Sequence, residues 1–205
     1  MPIDQRRAAA KKRTSSDRRS RVSALQAREQ LITTTIDLLR ELPFDEVSVR
    51  VITDRADLNP STVLRNFGTI DTLFAAVSQE LLARSTGRLE DGKAETALFD
   101  PDVILRTKLL AWLLGRGVES SLLAPDPNNQ MVKAMADRIQ RESKVQARTA
   151  MAFNEILAYA AEGFVLFSEI HIADESLRSD GFQLIVQLQS MLAQAESDLG
   201  WAGKR

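Results

Sequence analysis

Arg65 and Asn66 stand side by side in a chain that holds few other groups suited to chemistry. A guanidinium can grip O6 and N7 of guanine through two N–H groups, and a carboxamide can do the same to N6 and N7 of adenine, so the pair carries the donors and acceptors of a base reader. Four residues before each, Ser61 and Thr62 offer hydroxyls for phosphate oxygens and a methyl for the methyl of thymine. Ser48 and Arg50 are suited to holding a phosphate backbone in register, and Asn59 and Leu64 complete the set read as facing nucleic acid. Catalytic alternatives lack their parts. There is no cysteine and a single histidine, His171, which removes thiolate chemistry, cysteine-bound metals and multi-histidine metal clusters. A serine–histidine triad would have to use His171, and none of the nine glycines belongs to a phosphate-cradling loop. These residues imply a chain that binds and does not catalyse, with no cofactor and no metal.

Base readers work only when an element of fixed geometry presents them, and residues 48–67 spell one. Val49, Ile52 and Ala56 fall at i, i+3 and i+7, a single apolar stripe of helical period, with Ser48 where a capping hydroxyl belongs. A second helix opens with Asn59 as its cap and Pro60 at the first helical position, where a missing N–H costs nothing. Between them Asp57 takes the place that wants a left-handed residue, and Leu58 plugs the angle between the two helices. The pattern predicts a helix-turn-helix.

The stretch from Arg28 to Leu82 resembles the N-terminal domain of the TetR family of transcriptional repressors. An opening helix over 29–42 is followed by Pro43–Arg50, similar to the family's short connection between first and second helices. Asn66–Phe74 is similar to its tyrosine–phenylalanine pair and the capped fourth helix behind it. Pro43 and Asp57 replace usual glycines, Leu64 and Asn66 usual tyrosines, and Ile70 a common phosphate-binding lysine. The resemblance implies an all-α protein in which a three-helix DNA-binding domain precedes a helical bundle that dimerises through its last two helices. It further implies operator DNA, a second copy of the chain and a small-molecule effector as partners, with repression as the function. The competing expectation is an all-helical interaction protein or small-ligand carrier in which the motif only packs.

Charge is distributed to match. Residues 1–28 hold nine Lys and Arg against Asp4 and Asp17, although the whole chain carries a formal charge of −1. A basic arm over residues 1–27, with Arg18, Arg19 and Arg21 nearest the reader, is suited to phosphate binding by counterion release. Residues 29–85 are net acidic, so the reader over 28–85 must rely on a few placed donors. No apolar run follows the basic residues as a secretory signal would require, and with no cysteine a cytoplasmic location is expected.

Beyond the reader, the pattern predicts a linking helix from Thr69 to about Arg88, a polar loop over 87–93, and a helix from Pro101 that weakens at Gly115-Arg116-Gly117. After the break at residues 125–129, three helices are expected, over about 129–144, 146–172 and 175–198. The second of these carries Arg148, Glu155, Glu162 and Glu169 at seven-residue intervals and is apolar elsewhere, which demands partners on most sides. Three glutamates with Asn154 and His171 argue against a membrane span. Phe164 and Phe167, with Leu184, Leu188 and Leu192 of the last helix, are similar in placing to the family's dimer seam. Trp112, Met131, Met135, Phe153 and Tyr159 lie on separate helices and are expected to converge on a pocket for a small apolar or aromatic molecule. Residues 86–205 are read as this ligand-binding and dimerisation domain.

Overall fold

The computed structural model describes residues 24–90, 100–124, 130–171 and 174–201. These form helices and connecting turns with no strand among them, so the fold is all-α. The order is α1 (24–41), a 3-10 turn (Phe44–Glu46), α2 (Val49–Arg55), α3 (Ser61–Phe67), α4 (Ile70–Glu90), α5 (Pro101–Gly115), α6 (Ser120–Leu123), α7 (Gln130–Ser143), α8 (Ala147–His171), α9 (Glu175–Ser190) and α10 (Leu192–Asp198).

The chain divides into two compact units. The first takes the residues up to Glu80 together with Trp112–Leu123; the second takes Leu81–Ala111 and the residues from Ala124 onward. The sequence expectation of one boundary near residue 85 therefore misses a segment, and Trp112 explains why. Its indole meets Phe44 and Phe74 edge-on at centroid distances of 5.7 and 5.5 Å, and its N–H donates to Asp45 Oδ1 at 3.1 Å. Arg116 lies over the same indole at 4.5 Å, with its guanidinium 3.9 Å from Asp71. The end of α5 is thereby held to the first unit. The helix stops there because Gly117 is left-handed at φ 82° and Val118 N–H donates back to Leu113 O at 3.1 Å, a glycine-terminated helix end.

In the first unit the apolar stripes of α1–α4 are fully enclosed. Leu31, Ile36, Ile52, Leu73, Phe74 and Val77 are without measurable exposure. Buried hydroxyls are satisfied within their own helices, Thr35 donating to Leu31 O at 2.7 Å and Thr53 to Val49 O at 2.9 Å. Gln30 Nε2 donates to Ala56 O at 2.7 Å and so closes the end of α2.

The second unit has a smaller centre. Ile139, Val145 and Ala150 form its buried cluster, with Phe153, Leu157 and Leu192 packed against it. Glu196 of α10, itself buried, accepts the Gln146 N–H at 3.0 Å and the Thr149 hydroxyl at 2.6 Å, putting a carboxylate at the N-terminal end of α8. Ser143 Oγ donates to Gln189 O at 3.2 Å and Gln189 Nε2 to Glu142 Oε2 at 2.9 Å, tying the end of α7 to α9. The Arg138 guanidinium beside Glu142 holds that carboxyl below its usual range. On α5, Arg106 is largely buried with Glu162 at 3.9 Å; burial pulls its pKa below the ordinary arginine value, and its Nε has no hydrogen-bond partner.

Two expectations change here. Gly87 lies within α4 instead of opening a loop, since one interior glycine costs a helix only about 1 kcal/mol and α4 runs 21 residues. The expected last helix is broken at Met191 into α9 and α10. The segment Ala147–Ser168 of α8 has the length and composition of a membrane-crossing helix, although Arg148, Glu155 and Glu162 fall within it, and little of it is buried in the single chain.

Candidate nucleic-acid interface

The turn between α2 and α3 is built from local side-chain chemistry. Ser48 is extended and its Oγ accepts the Val51 N–H at 3.4 Å, which starts α2. Asp57 is left-handed at φ 51°, so the chain reverses there, and Leu58 N–H returns to Thr53 O at 2.9 Å. Asn59 Oδ1 then accepts the Ser61 N–H at 2.9 Å, while Pro60 already holds helical angles at φ −50° and ψ −34°. Asn59 and Pro60 therefore close the turn ahead of α3, which opens at Ser61 with Pro60 at its N-cap, one residue later than the pattern predicts. α3 ends at Gly68, φ 76°, and Thr69 Oγ1 accepts the Thr72 N–H at 3.1 Å to begin α4. Across α1 and α2, Arg55 and Glu41 pair at 2.9 and 3.3 Å, which pushes Glu41 below the usual carboxylate range.

With α3 fixed in this way, its faces separate. Thr62, Val63 and Phe67 point inward; Ser61, Leu64 and Arg65 point outward, next to exposed Asn59 and Pro60. Thr62 is the sequence-predicted contact that this geometry removes from the outer face: its side chain is buried, at the edge of the inward arc that Val63 and Phe67 also occupy, and its hydroxyl lies 3.3 Å from Arg65 Nη2. Arg65 folds back along its own helix, with Nε donating to Ser61 O at 3.3 Å. Asn66 is half-buried and its Nδ2 donates to Thr62 O at 2.7 Å, so a two-pronged grip on adenine requires that bond to be exchanged. Ser48 and Arg50 are exposed, the latter 3.6 Å from Asp54 one turn on. Arg28 sits over the Phe67 ring at 4.7 Å, holding the start of α1 against α3. The arm residues Arg18, Arg19 and Arg21 lie outside the described residues.

One signal was legible but easily passed over. No acid occurs from Leu58 to Ile70, although Asp57 and Asp71 bracket that stretch and the surrounding 29–85 segment is net acidic. The outer face of α3 is thus cleared of charge that would repel phosphate.

The residues expected to line a ligand pocket fall in both units, Trp112 in the first and the other four in the second. Trp112 is the aromatic core of the first unit's clasp, Phe153 packs on the Ile139 cluster, Tyr159 is exposed, and Met135 is half-buried; the side chain of Met131 lies outside the described residues. A groove of about 540 Å³ in the first unit is lined by Thr69, Asp71, Gly117, Glu119, Ser121 and Leu122, and one of about 290 Å³ in the second by Val132, Ala136, Gln140 and Met151 among others; neither includes any of the five. Of the proposed seam, Phe167, Leu184 and Leu188 are exposed and Phe164 is half-buried, whereas Leu192 turns inward onto the core cluster. The helix breaks at Met191, and Leu192, just beyond the break, packs on the Ile139 cluster. Searches among family models, curated proteins and solved structures found no match for this chain.

Proposed function

We propose that the chain is a sequence-specific DNA-binding regulator of the TetR type, a cytoplasmic homodimer that represses transcription by occupying an operator. The observation that carries this reading is the outer face of α3: a short helix set by the Asp57 reversal and the Asn59 cap, presenting Ser61, Leu64 and Arg65 from a stretch with no acid. In this reading α2–α3 is a helix-turn-helix, α3 lies in a major groove, Ser48 and Arg50 position the backbone, and the basic N-terminal residues supply salt-sensitive attraction. Homodimerisation is supported by the exposed apolar residues of α8 and α9, among them Ile156, Tyr159, Phe167, Leu184 and Leu188. A two-fold pair would bring two copies of α3 to successive grooves about 34 Å apart.

The test selects duplexes from a random pool with the full chain and footprints the DNA upstream of its gene. Arg65→Ala is expected to lower discrimination between selected and random duplexes by about 1–3 kcal/mol while binding to random DNA changes little. Removing residues 1–21 should weaken both and flatten the dependence of log K on log salt. Parent protein that binds selected and random duplexes alike, and leaves no footprint, would refute the proposal.

A further inference from the structure

Leu64 stands at the centre of the outer face of α3, 67% exposed, with Ser61 one turn before it and Gly68 one turn after. The inner face is complete without it, since Thr62, Val63 and Phe67 already fill the interior. Among the described large apolar residues of the first unit none is more exposed: Leu25, Leu114 and Leu122 reach 60%, 52% and 39%. The polar groups beside it are turned back on their own helix. Arg65 is bonded to Ser61 O and the Thr62 hydroxyl, and the Asn66 amide to Thr62 O. Beside the exposed Ser61 and the back-bonded Arg65, what α3 holds outward before any of these bonds is exchanged is therefore a branched aliphatic group, in a stretch with no acid.

Such a group can neither donate nor accept a hydrogen bond. Of the features that base pairs expose along the major groove, one is apolar, the C5 methyl of thymine. We infer that Leu64 determines specificity by selecting thymine, packing its isobutyl group on that methyl; the inference rests on the reading of α3 as the base-reading helix. The role expected from sequence for the methyl of Thr62 passes to Leu64, because Thr62 is buried and Leu64 is not. The contact is one of packing and water release, so its contribution stays nearly constant with salt while phosphate contacts weaken.

The experiment uses a duplex recovered from the random pool by the full chain, with each thymine replaced in turn by uracil. Uracil pairs identically and lacks only the methyl. The parent should lose about four-fold in affinity for each critical methyl removed, the factor expected for one buried methylene-sized group, at one thymine position per half-site. Leu64→Ala, with helix content checked by circular dichroism, should bind the thymine and uracil forms equally at that position. A parent indifferent to every thymine-to-uracil change overturns the inference without any variant, and so does a Leu64→Ala protein that keeps the parent's ratio. Either result leaves base reading by Arg65 standing. Recovery of no preferred duplex removes both.

Discussion

Phe74 of the first unit and Leu188 of the second are both large apolar side chains on helices, yet the first has no measurable exposure and the second is more than half exposed. The contrast extends beyond the pair. α1–α4 bury their stripes against one another, and Trp112 covers what remains; α8 and α9 leave Ile156, Tyr159, Phe167, Ile170, Leu184 and Leu188 uncovered around the small Ile139 cluster. Large apolar side chains left exposed again and again along two helices, unlike single scattered residues, mark a contact site. The first unit completes its core within one chain. The second has apolar surface that one chain does not cover.

The sharpest way to break the comparison is to charge that uncovered face. Leu184→Glu with Leu188→Glu would put four charges into a two-copy seam, each costing several kcal/mol when buried without a partner. Sedimentation should show a monomer at micromolar concentration with helix content retained, and operator affinity should fall by more than about a hundredfold because one half-site remains. A persistent dimer would remove α9 from the seam. Leu192→Glu belongs to a different experiment, since Leu192 lies on the core cluster and its charge would unfold the unit.

A smaller effect tests the closed side. Phe74→Ala should destabilise the first unit by about 3–5 kcal/mol, the range for an aromatic side chain removed from a core. In a Trp201→Phe background, fluorescence of Trp112 follows unfolding of that unit; an unchanged denaturant midpoint would mean that its core is not what holds it. Smallest is the effect of Glu196→Ala, about 1–3 kcal/mol, from a buried Thr149 hydroxyl and Gln146 N–H left without their acceptor. Amide exchange at Gln146 should accelerate. Unaltered exchange there would show that the carboxylate does not cap α8.

What could be read from the sequence was chiefly local. Ser48, Asp57, Asn59 and Pro60 act within two or three residues of themselves, so residue type alone pointed to the two helices and the reversal between them. The pairing of Trp112 with Asp45 spans 67 positions and that of Glu196 with Gln146 spans 50, and no periodic pattern encodes which distant partner a side chain meets. Residue type alone therefore gives Trp112 as candidate pocket lining and not as the partner of Asp45. Thr62 differs for a subtler reason: the inward arc of α3 is wide enough to take in Thr62 as well as Val63 and Phe67, and residue type alone does not give the width of that arc. Leu192 failed because the stripe was continued through Met191, where the helix breaks. Exposed Leu184 and Leu188 fit the stripe that was read, because they precede that break.

The clasp around Trp112 makes the first unit discontinuous in the chain. Residues 24–80 end before the segment that covers Phe44 and Phe74, and that segment returns only after the start of α5 has passed through the second unit. Modularity is thereby limited. A fragment cut after α4 would leave Phe44 and Phe74 without their aromatic cover and Asp45 without its indole donor, and a chimera that exchanges the first unit between proteins must carry residues 112–123 as a second insert. Evolution of the first unit's early helices and of the end of α5 is tied by the same requirement: a change at Phe44 or Phe74 has to be matched at position 112, far along the chain but in the same unit.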